Sequence, residues 1–308
     1  MVAVSVDRIH RLNNMLCAVS QTAVDPIQKK TISEVAAGTK YRSKLSGPIS
    51  DLSVLRQSLL FAELATISYM DEAEATKAVL SIGFEQSEFF ERDGSQSYIF
   101  TTAHDKALVF RGTEPNEWND IKADANAVSA VAETFGRVHR GFKQEVDDLW
   151  PRLEETLVAA KESAKERLWF AGHSLGGAMA TICAGRCKLS HISANPEGIF
   201  TFGSPRVGNK RYINYCNLTH YRWVNNNDIV TRVPPPWMGY RHGGVEMYLD
   251  HNGDLRTIKG WRRTKDRLAG FWGGLWQGRV DHFSDHSMTC YMDHIHNAIC
   301  ADEGISST

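Results

Sequence analysis

The sequence predicts an α/β fold built on a largely parallel sheet with helices on both faces, and two observations carry that prediction. Short apolar runs suited to buried strands alternate with segments of helical periodicity between residues 97 and 225, the pattern of strand-helix-strand crossovers. One of these runs, Arg167 to Gly172, enters a glycine-flanked serine and then a small-residue stretch, which gives the order strand, tight turn, helix.

Taken in order, Leu52, Leu55, Leu59, Leu60, Ala62 and Ile67 mark one amphipathic helix, and Asp71 to Ile82 a second with acids in its first turn. The period then changes. Residues 97–102 and 107–110 read as two strands around the polar turn His104-Asp105-Lys106. Residues 141–164 place Phe142, Val146, Leu149, Leu153 and Leu157 at helical spacing, with Pro151 expected to bend or divide the helix. The apolar run 167–172 is a buried strand, 175–187 a helix, and 199–203 and 221–225 two further strands.

The 308 residues fit one large domain with decoration. Residues 1–50 read as an N-terminal arm, 51–300 as a single domain, and about 239–280 as a basic and aromatic insertion within it. Lys+Arg 35 against Asp+Glu 36 leaves a charge of -1, so no global field gathers nucleic acid or an anionic membrane. The six cysteines form no C-x-x-C pair and read as reduced or buried thiols. Neither a signal-peptide core nor a run of membrane-spanning length occurs. The expectation is a soluble protein, cytoplasmic or exported without a cleaved signal.

Gly172-His173-Ser174-Leu175-Gly176 matches G-x-S-x-G. A serine on a strained strand-to-helix turn needs glycines two residues to either side, because side chains there would collide. Composition alone delivers this pattern in about one chain in ten of this length, so the context has to carry it. The preceding strand and the following Gly177, Ala178 and Ala180 supply that context.

A serine hydroxyl is a poor nucleophile at neutral pH and needs a histidine base, itself held by a carboxylate. After such an elbow the chain order is Ser, Asp, His. Asp228 leaves the end of the strand 221–225, the catalytic edge of an open α/β sheet. The histidines placed well after it are His242, His251, His282, His286, His294 and His296. The backbone N–H of Leu175, directly after the nucleophile, is one oxyanion donor by the geometry of the elbow.

Five blocks together resemble the class 3 lipase family: Gly172-His-Ser-Leu-Gly-Gly177, Val109-Phe-Arg-Gly-Thr-Glu-Pro115, Val138-His-Arg-Gly-Phe142, Phe202-Gly-Ser-Pro-Arg-Val-Gly-Asn209 and Asp285-His286. The resemblance spans about residues 107–291. It implies an α/β-hydrolase fold and a serine hydrolase of lipid esters, of the triacylglycerol type, working through an acyl-enzyme without cofactor or metal. By the same resemblance Asn-Asp-x-Val-x-x-Val-Pro marks Asp228 as the acid and Asp285-His-Ser-Met-Thr-Cys-Tyr291 marks His286 as the base, with His282 as rival in a like Asp-His pair. Thr113 would be the second oxyanion donor. Trp118 is followed by Asp120 and Asp124 where the family has Trp-x-x-Asp, which leaves open which acid braces that loop.

The family's lid would fall within residues 114–132. A second surface candidate is 259–279, where Trp261, Phe271, Trp272 and Trp276 alternate with Arg262, Arg263, Lys265 and Arg267; lipid headgroups, a subunit contact and packing onto the core all suit it. Esterase, monoacylglycerol lipase and phospholipase A1 activity on the same triad are the alternatives for substrate. Different in kind are a metal site in Asp281-His282, Asp285-His286 and Asp293-His294-x-His296 and a non-catalytic member of the fold.

Overall fold

The structure, a computed structural model, describes residues 41–112, 128–133, 135–162, 166–192, 195–256 and 284–305. All of these lie in one compact unit, Thr39–Thr308. Most of the expected N-terminal arm, residues 1–40, lies outside the described residues, as do Thr113, Trp118, Asp120, Asp124, His282 and the aromatic segment 259–279.

The main sheet is assembled from β1 (Gln86–Arg92), β2 (Ser95–Thr101), β3 (Asp105–Phe110), β6 (Arg167–His173), β7 (Gly198–Phe202), β9 (His220–Asn225), β11 (Val245–Leu249) and β12 (Leu255–Arg256) in that spatial order. The five strands β3, β6, β7, β9 and β11 run parallel, and the antiparallel β1-β2 pair and β12 flank them. The described α-helices are α1 (Val54–Ile67), α2 (Glu72–Ile82), α3 (Arg140–Glu162), α4 (Leu175–Leu189), α5 (Lys210–Cys216) and α6 (Met288–Glu303). Strands covered on both faces read as continuous apolar runs, and β6 and β7 are buried nearly throughout. Leu168, Phe170 and Ile199 join the core that Leu149, Leu153, Met179 and Cys183 build from α3 and α4. On the opposite face Phe61 of α1 stacks on Phe200 at 4.6 Å and leans on Trp169 at 5.7 Å.

Both early helices start where their side chains can cap them. Ser53 accepts the Arg56 N–H, and Asp71 the Glu74 N–H at 2.9 Å, which satisfies donors that a helix start leaves open. Helix α3 continues unbroken through Pro151 rather than dividing there. The proline lacks the N–H owed to the carbonyl four residues earlier, but Phe142, Val146, Leu149, Leu153 and Leu157 are all buried along one face, and that packing outweighs one missing bond. Segment 41–51 is anchored on the domain: Asp105 accepts the Ile49 N–H at 2.8 Å and the Trp169 indole N–H at 2.7 Å, and Leu45 donates to the Ile82 carbonyl.

A small antiparallel sheet, in the order β10 (Tyr240–Arg241), β8 (Gly208–Asn209), β5 (Arg137–His139) and β4 (Ser129–Val131), gathers segments that precede α3, follow β7 and follow the Asp228 loop. The described end of the expected lid segment is thus an edge strand, with Val131 exposed and Ala132 buried. No described helix is long and apolar enough to cross a membrane.

Candidate active site

Strand β6 delivers its last residue, His173, to a turn in which Ser174 takes φ 59 and ψ -129, then α4 begins at Leu175. Positive φ is strained for any residue with a Cβ, so the surroundings must hold it. Ser174 donates its backbone N–H to the Phe202 carbonyl at 2.9 Å. A Cβ on Gly172 would collide with the Gly176 backbone, one on Gly176 with the Phe110 carbonyl, and one on Gly177 would lie 2.8 Å from Ser204 Cβ. Each glycine of the motif therefore answers to a named neighbour. Gly176→Ala is expected to lower stability by roughly 3 kcal/mol or more, because the added methyl meets backbone that cannot yield; a chemical denaturation midpoint checks this.

Asp228 follows the turn at the end of β9 and is fully buried. Its Oδ1 accepts the Val230 N–H at 2.9 Å, and its Oδ2 accepts from His286 Nδ1 at 2.8 Å and from the Tyr291 hydroxyl at 2.7 Å. With a carboxylate as partner, His286 Nδ1 carries the hydrogen, so Nε2 is the basic nitrogen. His286 closes a 3-10 turn, Ser284–His286, ahead of α6 and is itself buried. Gly203, at φ +61, makes room for the pair: a Cβ there would lie 2.7 Å from both Asp228 Oδ2 and His286 Nδ1.

Two side chains that sequence reasoning did not assign hold this arrangement. Tyr291, the last residue of the block that marks His286, donates to Asp228 and accepts the Asn225 N–H at 3.0 Å. Burial first, and then the charge of Asp228, pushes its phenol well above the usual range, so it remains a donor. Asp285 accepts from Asn226 Nδ2 and from the Asn227 N–H, both at 3.2 Å, and its carbonyl accepts from Asn225 Nδ2. Burial is the largest cause of its raised pKa. The His286 segment and the Asp228 loop are thereby tied side by side. Tyr291→Phe removes one donor from a buried carboxylate and leaves a buried N–H without its acceptor, so stability should fall by about 1–3 kcal/mol in denaturant unfolding.

Leu175 is the first residue of α4, where a backbone N–H has no acceptor inside the helix and faces the positive end of the dipole. Gly112 closes the strand that leads toward Thr113. A Cβ on Gly112 would come within 3.2 Å of Ser174 Cβ and 2.6 Å of the His173 carbonyl, so this loop starts against the elbow. His173 is hydrogen-bonded rather than merely packed: its Nε2 meets the His286 carbonyl at 2.8 Å and its Nδ1 the Tyr69 hydroxyl at 3.0 Å. His139 stacks on Phe142, ring centroids 4.0 Å apart. In the tail, Asp293 pairs with Arg42 and His296 lies near Cys300 Sγ; among the described residues no cluster of metal-ligating side chains occurs.

Residues 107–238 match the family model described as Lipase (class 3). Toxin TseL of Vibrio cholerae is 37% identical over 121 residues, which are 38% of this chain and 18% of that protein. Secreted mono- and diacylglycerol lipase 1 of Fusarium solani is 35% identical over 117 residues, 37% of this chain and 34% of that one. The chain therefore spans about a third or less of the length of these two relatives. Among solved structures, lipase II from Rhizopus niveus superposes with a TM-score of 0.51 and 25% identity over 66% of this chain and 82% of that one. The fold is that of the α/β-hydrolases, and residues 107–238 are similar to the class 3 lipases.

Proposed function

We propose that the protein is a lipase that hydrolyses carboxylic ester bonds of acylglycerols, with Ser174 as nucleophile, His286 as base and Asp228 as the acid that orients it. The single observation that carries this reading is that the strained serine turn adjoins the hydrogen-bonded His286–Asp228 pair, His173 beside Ser174 lying 2.8 Å from the His286 carbonyl. Ser174 Oγ attacks the ester carbonyl while His286 Nε2 takes its proton, and Asp228 stabilises the imidazolium. The Leu175 N–H, together with Thr113, is assigned to the oxyanion. His286 then returns the proton to the leaving alcohol, and a water activated by the same histidine releases the acid from the acyl-enzyme. No step calls for a metal or a cofactor.

Triacylglycerol-type lipids are the proposed substrate class, on the resemblance to lipases. The likeness to a mono- and diacylglycerol lipase favours partial acylglycerols as the second reading. Residues 51–300 are proposed as one domain, and the composition of the stretch 259–279 is proposed to suit contact with lipid headgroups, because it interleaves cationic and tryptophan side chains. Hydrolysis of emulsified tri-, di- and monoacylglycerols beside a nitrophenyl ester series tests the assignment. Serine-directed phosphonates should abolish turnover and chelators leave it intact; the reverse would point to a metal-dependent site.

A further inference from the structure

The residue before the nucleophile is bonded to the residue proposed as base, and the proposed mechanism leaves that bond without a role. His173 ends β6, and its ring lies 4.3 Å from the His286 ring, centroid to centroid. Its Nε2 is 2.8 Å from the His286 carbonyl oxygen, which can only accept, so Nε2 carries the ring's hydrogen. Nδ1 is then the acceptor for the Tyr69 hydroxyl at 3.0 Å. Burial foremost, then the neighbouring His286, holds His173 well below the usual imidazole range. It stays neutral while His286 gains a proton beside it.

Tyr69 stands just beyond the end of α1 and carries the chain of contacts further. Its hydroxyl backs Gly112, where a Cβ would collide with it, and the Arg111 guanidinium lies 5.5 Å from its ring centroid. One phenol therefore touches both the histidine that holds the base segment and the strand end that leads to Thr113. Three segments far apart in sequence, at 69, 173 and 286, meet through two hydrogen bonds.

We propose that His173 and Tyr69 are positioning residues that set the separation between Ser174 and His286, His173 by gripping the main chain of the base and Tyr69 by fixing the tautomer and tilt of His173. The proposal rests on the assignment of Ser174 and His286 as nucleophile and base. A misplacement of about 1 Å between reacting groups can cost roughly a hundredfold in rate, and a side-chain bond to a rigid carbonyl restrains that coordinate directly. His173 lies beside the reacting groups and acts through His286.

The test compares His173→Leu, His173→Gln and Tyr69→Phe for kcat, KM and the rate at which a short-chain phosphonate ester labels Ser174, which reports nucleophile activation apart from turnover. His173→Leu should lower kcat and the labelling rate together, by roughly tenfold to a hundredfold, with KM nearly unchanged. His173→Gln, whose amide offers a donor and an acceptor at similar spacing, should recover to within about fivefold of wild type. Tyr69→Phe should lose about fivefold, and Tyr69→Phe combined with His173→Leu should be no worse than His173→Leu alone, as expected for one coupled unit.

Wild-type kcat and labelling in His173→Leu, equal damage in Gln and Leu, or losses that multiply in the double variant would each overturn the proposal. If His173→Leu does not fold, the milder Gln and Phe variants still decide: a fivefold loss in Tyr69→Phe with retention in His173→Gln supports it, and unchanged Tyr69→Phe or a dead but folded His173→Gln overturns it. Ser174→Ala runs beside them. If that variant remains active, the failure belongs to the assignment of the nucleophile; if it is inactive while His173→Leu is not, the failure belongs to the positioning relay.

Discussion

Ser174→Ala should lower kcat on ester substrates by about a millionfold, the loss typical when the nucleophile of such a triad is removed, while the fold stays intact. The second half of that expectation follows from the environment. The side chain removed is one hydroxyl, and the backbone bond from Ser174 N–H to the Phe202 carbonyl is untouched. The strained φ of 59 is equally available to alanine in this frame, since the Cβ is already accommodated. Stability within about 0.5 kcal/mol of wild type is therefore expected, and parallel unfolding curves would separate a chemical defect from a structural one.

Asp228→Asn should cost about ten-thousandfold in kcat with little change in KM. The geometry dictates which way the amide turns. Oδ1 faces the Val230 N–H, a donor, so the amide oxygen must remain there and the NH2 must face His286 and Tyr291. An NH2 pointing at His286 Nδ1 forces that nitrogen to accept, moves the ring hydrogen to Nε2 and leaves no base for the serine proton. Tyr291 must at the same time reverse from donor to acceptor at this contact. Steady-state kinetics on a soluble ester, with the unfolding midpoint as control, check both parts; a variant within tenfold of wild-type kcat would mean that the carboxylate does not set the tautomer.

The parts of this architecture legible in sequence are those whose demands are local. The elbow could be read because a positive-φ serine imposes its glycines two residues away, and Phe110, Gly176 and Ser204 are the atoms that enforce it. Asp228 could be read because it leaves the end of a recognisable strand, and His286 because its block resembles a family pattern. What escaped is long-range. Tyr69 carries no local mark, and its partner His173 lies 104 residues away. His173 reads as a packing residue until the His286 carbonyl, 113 residues on, is placed against it.

The same reason hid two strands. β1 is an edge strand whose residues are mostly polar and exposed, so it lacks the apolar alternation that marks its neighbours. β11, Val245–Leu249, sits in a stretch without readable motif and gains its identity by pairing with β9. The four-stranded sheet is built from strands of two or three residues, too short for periodicity to register. In the opposite direction, Pro151 signalled a bend or a division, and of the two the division does not occur, because α3 runs on through it.

The central claim is that Ser174 is the nucleophile of an ester hydrolase, and the most direct measurement is the site of covalent modification by an ester-mimicking phosphonate, mapped by peptide mass spectrometry with residual activity followed in parallel. One adduct per chain, on Ser174, formed in step with loss of hydrolysis and absent from Ser174→Ala, is the predicted result. Complete inactivation with the adduct on another residue, or full hydrolytic activity in protein stoichiometrically modified at Ser174, would contradict it.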